Sequence, residues 1–198
     1  DHGEIIVVER KIPQSVVLFG HEGILRNHPD WFPALILFEV LSGGFGSRLT
    51  EEIREKRGLT YSVSAYPLPM ENAGLILGSV STKNSKVKET VLILKKVWKE
   101  FSVNGPTKEE VENAKSYLKG SYGLQFTNSR SIAGLLVALQ RHKLGVDYLT
   151  ERSKLIDDVT LSDLKRVAKQ LFNDEKLMFA IIGTPENIKS SISIPALH

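Results

Sequence analysis

Between Gly43 and Tyr66 the chain reads GGFGSRLTEEIREKRGLTYSVSAY, and this stretch fixes several changes of backbone conformation in quick succession. Gly43-Gly44 ends the helix before it, since a residue without Cβ is the usual choice where a helix gives way to a tight bend. Ser47 is placed to cap a second helix, with Glu51 and Glu52 near its positive end and Lys56 and Arg57 near its negative end. Gly58 stops that helix and a strand follows at once. There Tyr61, Val63 and Ala65 alternate with Ser62, Ser64 and Tyr66, the period-two pattern of a half-buried antiparallel pair. Arg54 and Tyr61 lie on either side of the helix-to-strand corner, so a fixed cation and a phenol can reach one pocket.

The flanking segments complete an α+β pattern. Residues 5–8 and 12–20 read as β-branched strands. His28-Pro29-Asp30 opens a helix carrying Trp31, Leu35, Phe38 and Leu41 at helical spacing. Strands at 60–66 and 73–81 are predicted, joined by a turn over Pro67-Leu68-Pro69-Met70-Glu71-Asn72. Val87, Val91, Leu94, Trp98 and Phe101 form one apolar stripe. Thr107 and Glu110 make a capping box for a helix through about Gly123. Asn128 caps another, with Ile132, Leu135, Leu136 and Leu139 inside, and Thr160 with Asp163 starts a last one. LMFAIIG, residues 177–183, is a buried closing strand, and the Ser/Pro-rich end is expected to fray. The expected architecture is α+β, with helices packed on one face of a largely antiparallel mixed sheet.

Several functions are excluded or weakened by composition. The chain has 198 residues and no cysteine, so disulfides and thiolate metal sites are ruled out. Its net charge of +3 is modest and its basic residues are interleaved with acidic ones. That lacks the concentrated basic face that nucleic-acid binding requires. No apolar run is long enough for a membrane span. The lysines between Lys83 and Lys99 form the solvated face of an amphipathic helix, or alternatively a surface attractive to acidic peptides. The chain opens Asp1-His2-Gly3 without Met and reads as a processed product or a fragment of a longer chain.

Gly44-x-Gly46 begins like a dinucleotide fingerprint, but Leu49 stands where the third glycine belongs and a helix, not a strand, precedes it. Gly46-Ser47-Arg48 fails as a phosphate-binding loop for want of Gly-Lys-Ser/Thr. What remains is a helix stop and a tight bend between packed helices. On residue types alone, Arg54 and Tyr61 read as a surface arginine and a strand tyrosine with a buried ring. The histidines are His2, His21, His28, His142 and His198. No two fall within one helical turn, and His21-Glu22 with His28 read as a turn-rich surface. Helix 30–42 offers only Glu39. No catalytic zinc site is expected in this chain.

The ungapped run SRLTEEIREKRGLTYSVSA resembles the second, non-metal half of the insulinase/pitrilysin-like zinc peptidases, whose metal motif is H-x-x-E-H. The likeness extends from the early strands to LMFAIIGTPEN and includes the processing peptidases. It implies two homologous α/β halves facing each other like a clamshell, one holding zinc and the other an Arg–Tyr pair that contacts the peptide near its scissile carbonyl. Arg54 and Tyr61 are then the expected catalytic pair. The matching GG-x-x-x-SRL bend makes Gly43, Gly44, Ser47 and Arg48 the expected substrate-binding wall. Residues 1–198 are expected to form a single non-metal half-domain, without a cofactor of its own. It would act on a peptide only beside a zinc-bearing half, fused or separate, in a homo- or hetero-dimer. A catalytically inert peptide-binding module, a structural core subunit and an unrelated ligand-binding α+β domain are the alternatives. Absence of cysteine points first to the bacterial periplasm or cytoplasm and leaves a mitochondrial location open.

Overall fold

The computed structural model describes residues 3–192. Five strands, β1 (Ile5–Glu9), β2 (Gln14–Glu22), β3 (Thr60–Pro69), β4 (Gly74–Lys83) and β5 (Met178–Gly183), form one sheet in the order β1-β5-β2-β4-β3. Only β1 and β5 pair in parallel, so the sheet is mixed and largely antiparallel, as expected. Six α-helices lie among the described residues: α1 (Trp31–Ser42), α2 (Val87–Asn104), α3 (Lys108–Gly120), α4 (Ser129–Arg141), α5 (Tyr148–Asp157) and α6 (Leu161–Leu171).

Alternation along the strands decides which sheet face is covered. Ser15, Val17, Phe19 and His21 of β2 point inward, as do Ile76, Val80 and Thr82 of β4 and Phe179 and Ile181 of β5. They meet the apolar stripe of α2, with α1 and α6 beside it. Trp98 is fully buried at the centre. Its ring lies 5.9 Å from that of Phe19 and 5.1 Å from that of Phe172, edge-on in both cases. The opposite face carries Leu18, Tyr66, Leu75 and Met178, each more than a third exposed, and no helix among the described residues packs over them.

Local chemistry explains most helix starts. Thr107 and Thr160 make reciprocal capping boxes with Glu110 and Asp163, and Asn128 accepts from the Ser131 N–H. Several expectations need correction. Pro67, Leu68 and Pro69 belong to β3, and the turn lies at 70–73, closed by the Met70 N–H on the Ala73 carbonyl at 2.8 Å. An edge strand tolerates proline because its outward N–H positions need no ladder partner. The Ala65 N–H already points out of the ladder, to Ser42 Oγ at 2.8 Å, so Pro67 and Pro69, two and four residues on, face the same way. Helix α3 ends at Gly120 and continues as a 3₁₀ segment over 121–126. Of the apolar residues of α4 only Leu139 is buried, while Leu136 is half exposed. Helix α5 was not anticipated.

The serine-rich end is partly pinned rather than frayed. Ser191 Oγ and Ser190 Oγ accept from the Ile5 and Val7 N–H groups, each at 2.8 Å, along the free edge of β1. Residues 193–198 lie outside the described residues.

Candidate active site

The glycine bend is built from backbone restraints. The Gly43 N–H closes α1 on the Glu39 carbonyl at 2.8 Å. Gly44 and Gly46 then take φ of +111° and +85°, which side-chain-bearing residues rarely adopt. Ser47 does not cap a helix by accepting an N–H. Its buried hydroxyl instead donates to the Gly44 carbonyl at 2.7 Å and bonds to Thr50 Oγ1 at 3.0 Å, which locks the bend.

The short helix after the bend is a π-helix over Thr50–Glu55, not the expected α-helix. The Lys56 N–H reaches back five residues to the Glu51 carbonyl at 2.9 Å. Leu49 and Ile53 are fully buried and fix the helix to the core. Its end is tied by Gly58, at φ +59°, whose N–H bonds to Arg54, and by the Leu59 N–H on the Ile53 carbonyl at 3.0 Å.

Beyond Leu59 the ladder slips by one residue. Thr60 pairs with Thr82 but Val63 pairs with Val80, so Tyr61 and Ser62 together oppose Ser81. This bulge removes Tyr61 from the buried face it would share with Val63 and Ala65 in a regular strand. Its ring is 89% exposed, not buried. The Arg54 guanidinium carbon lies 5.4 Å from the centroid of that ring. The bulge and the π-helix thus bring the expected pair together at an exposed corner. Arg54 also sits 3.4 Å from Glu55, a loose and solvated contact. Its neighbours Lys56 and Arg57 are held more tightly, each 2.6 Å from Glu52. Hydrogen bonds from those two cations keep the Glu52 carboxyl below the usual carboxylate range.

Arg48 points elsewhere. Its Nε and Nη2 both donate to the Glu110 carboxylate at 2.8 Å, and Nη2 also reaches the Gly105 carbonyl at 2.9 Å. The guanidinium carbon sits 4.8 Å over Phe101. Arg48 therefore clasps the bend to the α2–α3 turn and is not brought to Arg54 and Tyr61.

A cleft of about 510 Å³ opens beside the bend, lined by Glu39, Phe45, Asn113 and Tyr117 among others. Burial alone pushes the Glu39 carboxyl up to about 7. A side chain added at Gly43 would collide with that carboxylate, so the glycine gives Glu39 its place. Gly43, Gly44 and Ser47, the expected wall residues, line this cleft too; Glu39, Asn113 and Tyr117 were missed from sequence, although one charged residue in the apolar run ALILFEVL was a signal.

Among the described residues, no three His, Asp or Glu side chains converge as a metal site. His21 is not on a turn-rich surface but buried on β2. Its Nε2 accepts from Trp98 Nε1 at 3.0 Å, so Nδ1 carries the proton and donates to the Glu22 carbonyl at 2.6 Å. Burial lowers its pKa, which keeps the ring neutral at pH 7. His28 Nδ1 accepts from the Asp30 N–H. His2 and His198 lie outside the described residues. No helix among those residues is long and apolar enough to cross a membrane.

The sequence model of a family described as the peptidase M16 inactive domain matches residues 1–118. An uncharacterized zinc protease of Bacillus subtilis, YmxG, is 26% identical over 193 residues, 96% of this chain and 46% of the relative. A Helicobacter pylori protein named non-peptidase homolog YmxG is 30% identical over 186 residues, 92% of this chain and 43% of the relative. Among solved structures, a peptidase M16 inactive domain from Pseudomonas fluorescens superimposes with a TM-score of 0.84 at 30% identity. It covers 93% of this chain and 44% of that one. The chain thus spans less than half the length of these relatives.

Proposed function

The chain belongs to the peptidase M16 inactive-domain family, and on that premise we propose that it is the non-metal half of a zinc-dependent metalloendopeptidase. The supporting observation is the meeting of Arg54 and Tyr61 at an exposed corner, where Tyr61 is open to solvent. No zinc ligand set exists among the described residues, so the metal belongs to a zinc-bearing homologous half, fused or separate. Zinc bound there supplies a Lewis acid and an activated water.

The work of this chain is to hold the peptide. The Arg54 guanidinium donates paired hydrogen bonds to a peptide carbonyl or terminal carboxylate. The Tyr61 hydroxyl donates to the oxyanion developing on the scissile carbonyl. One such donor contributes roughly 3–4 kcal/mol of transition-state stabilisation. Gly43, Gly44 and Ser47 shape the wall of the peptide chamber, and Arg48 fixes that wall from behind.

The test is peptide hydrolysis by this chain alone and together with the zinc-bearing half from the same source. The mixture is expected to cleave, and Tyr61→Phe to slow it by ten-fold or more, about 1.4 kcal/mol. Equal rates with Tyr61→Phe would sink the assignment of the phenol. A second reading keeps the pair as a peptide-binding surface without cleavage, and the relative called a non-peptidase homolog favours it. That reading requires peptide affinity lost on Arg54→Ala and no hydrolysis in any pairing.

A further inference from the structure

Far from the glycine bend, where the loop before α1 meets α5 and the 3₁₀ segment, the protein gathers two arginines that no carboxylate pairs among the described residues. Arg152 is 92% buried by its 8% relative exposure. Its guanidinium lies 4.2 Å over the Tyr122 ring, and Nη1 donates to the Leu118 carbonyl at 2.8 Å. Arg26 is packed 4.5 Å over Trp31 and 5.1 Å over Tyr148, and its Nη2 donates to the Tyr148 hydroxyl at 2.7 Å. The Tyr122 hydroxyl is buried and has no hydrogen-bond partner among the described residues.

The charge inventory is one-sided. Neither guanidinium makes an ion pair with a carboxylate among the described residues. Glu151 lines the depression of about 300 Å³ beside Arg26, yet it bonds to neither arginine. The two arginines are near enough to repel one another. His142 is pushed below its ordinary pKa by burial, and then by the positive fields of Arg26 and Arg141. Arginine has no acceptor atom, and a phenol whose oxygen already accepts still has a proton to give. Buried cations are ordinarily paired, and buried polar hydrogens ordinarily bonded.

We infer that Arg26, Arg152, Tyr122 and Tyr148 form an anion site that takes a phosphate group. Two fixed positive charges match the charge of about −1.5 to −2 that a phosphate carries at pH 7. Its several oxygens can accept from Arg26 and the Tyr148 hydroxyl, which line the depression, with Arg152 and the orphaned Tyr122 hydroxyl as the further donors of the cluster. Burial raises the Tyr122 pKa, so this hydroxyl remains a protonated donor. The aromatic wall of Trp31, Phe32 and Tyr148 also suits an aryl phosphomonoester.

The test is thermal unfolding of the protein in rising sodium phosphate or phenyl phosphate, each against sodium chloride of equal ionic strength. A ligand that binds only the folded state raises the midpoint with concentration. Wild type is expected to show that rise. Tyr122→Phe, which removes only an unbonded hydroxyl, should unfold normally without phosphate and bind it at least three-fold more weakly. Arg26→Gln should weaken binding about ten-fold or more. A tighter response to phenyl phosphate identifies a phosphomonoester as the ligand, and an equal response identifies the free ion. A rise matched by chloride, or one undiminished in Tyr122→Phe, overturns the site even if Arg26→Gln fails to fold.

Discussion

Arg48→Ala isolates the clasp behind the glycine bend. Arg48 gives two parallel bonds to Glu110 and one to the Gly105 carbonyl. The partners' side chains are 23% and 31% exposed, so solvent weakens the ion pair without abolishing it. Bonds to charged groups contribute about 1.5–3 kcal/mol in general, and the low end applies to this half-screened pair. The carbonyl bond and the contact with Phe101 together add on the order of 1–1.5 kcal/mol. The expected loss is therefore about 3 kcal/mol, or a fall of about 6–12 °C in Tm for a chain of this size. Arg48→Lys keeps the charge but loses the two-pronged geometry, and should lie between.

The acid side supplies a second check on the same clasp. Burial would raise the Glu110 pKa, but the bonds from Arg48 and Thr107 outweigh it and leave it below the usual glutamate value. Its contribution to stability is thus present above the unfolded pKa of about 4.3 and disappears as the pH falls through the lower folded value. Denaturant titration at pH 7 and pH 3 of Arg48→Ala, Glu110→Gln and the double variant measures the coupling. A Tm loss under 2 °C for Arg48→Ala, or strictly additive single effects at pH 7, would refute the reasoning.

Glu39→Gln should stabilise the protein by about 1–2 kcal/mol at pH 8, after allowance for its partial solvent access, and have little effect at pH 4. The folded carboxyl titrates at about 7, so the folded state loses stability as the pH rises from the unfolded value toward 7. Equal effects at both pH values would disprove that burial. Trp98→Phe leaves His21 Nε2 without its donor and should cost about 1–3 kcal/mol, measured by chemical denaturation; a neutral result would mean that the Trp98–His21 bond carries no weight. Because burial lowers the His21 pKa, the Glu39→Gln variant, which lacks the opposite pH dependence of Glu39, should lose stability as the pH falls below about 6.5, where unfolded histidine gains its proton. An unchanged midpoint between pH 7.5 and 5.5 in urea would contradict this.

Signals confined to neighbouring residues were readable. Thr107 with Glu110, Thr160 with Asp163, and the stripe from Val87 to Phe101 need only local spacing, and all formed as expected. Features that depend on a distant partner were not. Pro67 and Pro69 suggested a turn because nothing local says that β3 is an edge strand. The alternation around Tyr61 suggested a buried ring because a single extra residue opposite Ser81 leaves no mark in composition. Helix α5 buries little beyond Arg152 and Ile156, too thin a stripe to stand out. The Glu39 cleft exists only because α3 brings Asn113 and Tyr117 against the bend.

The two rims of the sheet are closed by opposite devices. At β1 the amides of Ile5 and Val7 are occupied by serine hydroxyls. At β3 the Ala65 amide is taken by Ser42, while Pro67 and Pro69 have no hydrogen to offer. Along these positions neither rim has a donor left for an incoming strand. An extended peptide cannot zip onto this sheet there, as the edge-recognition domains allow, nor can a second copy extend it into a filament. Under the proposed function, any backbone ladder with a peptide would therefore have to come from another surface, leaving side chains as the means of contact here.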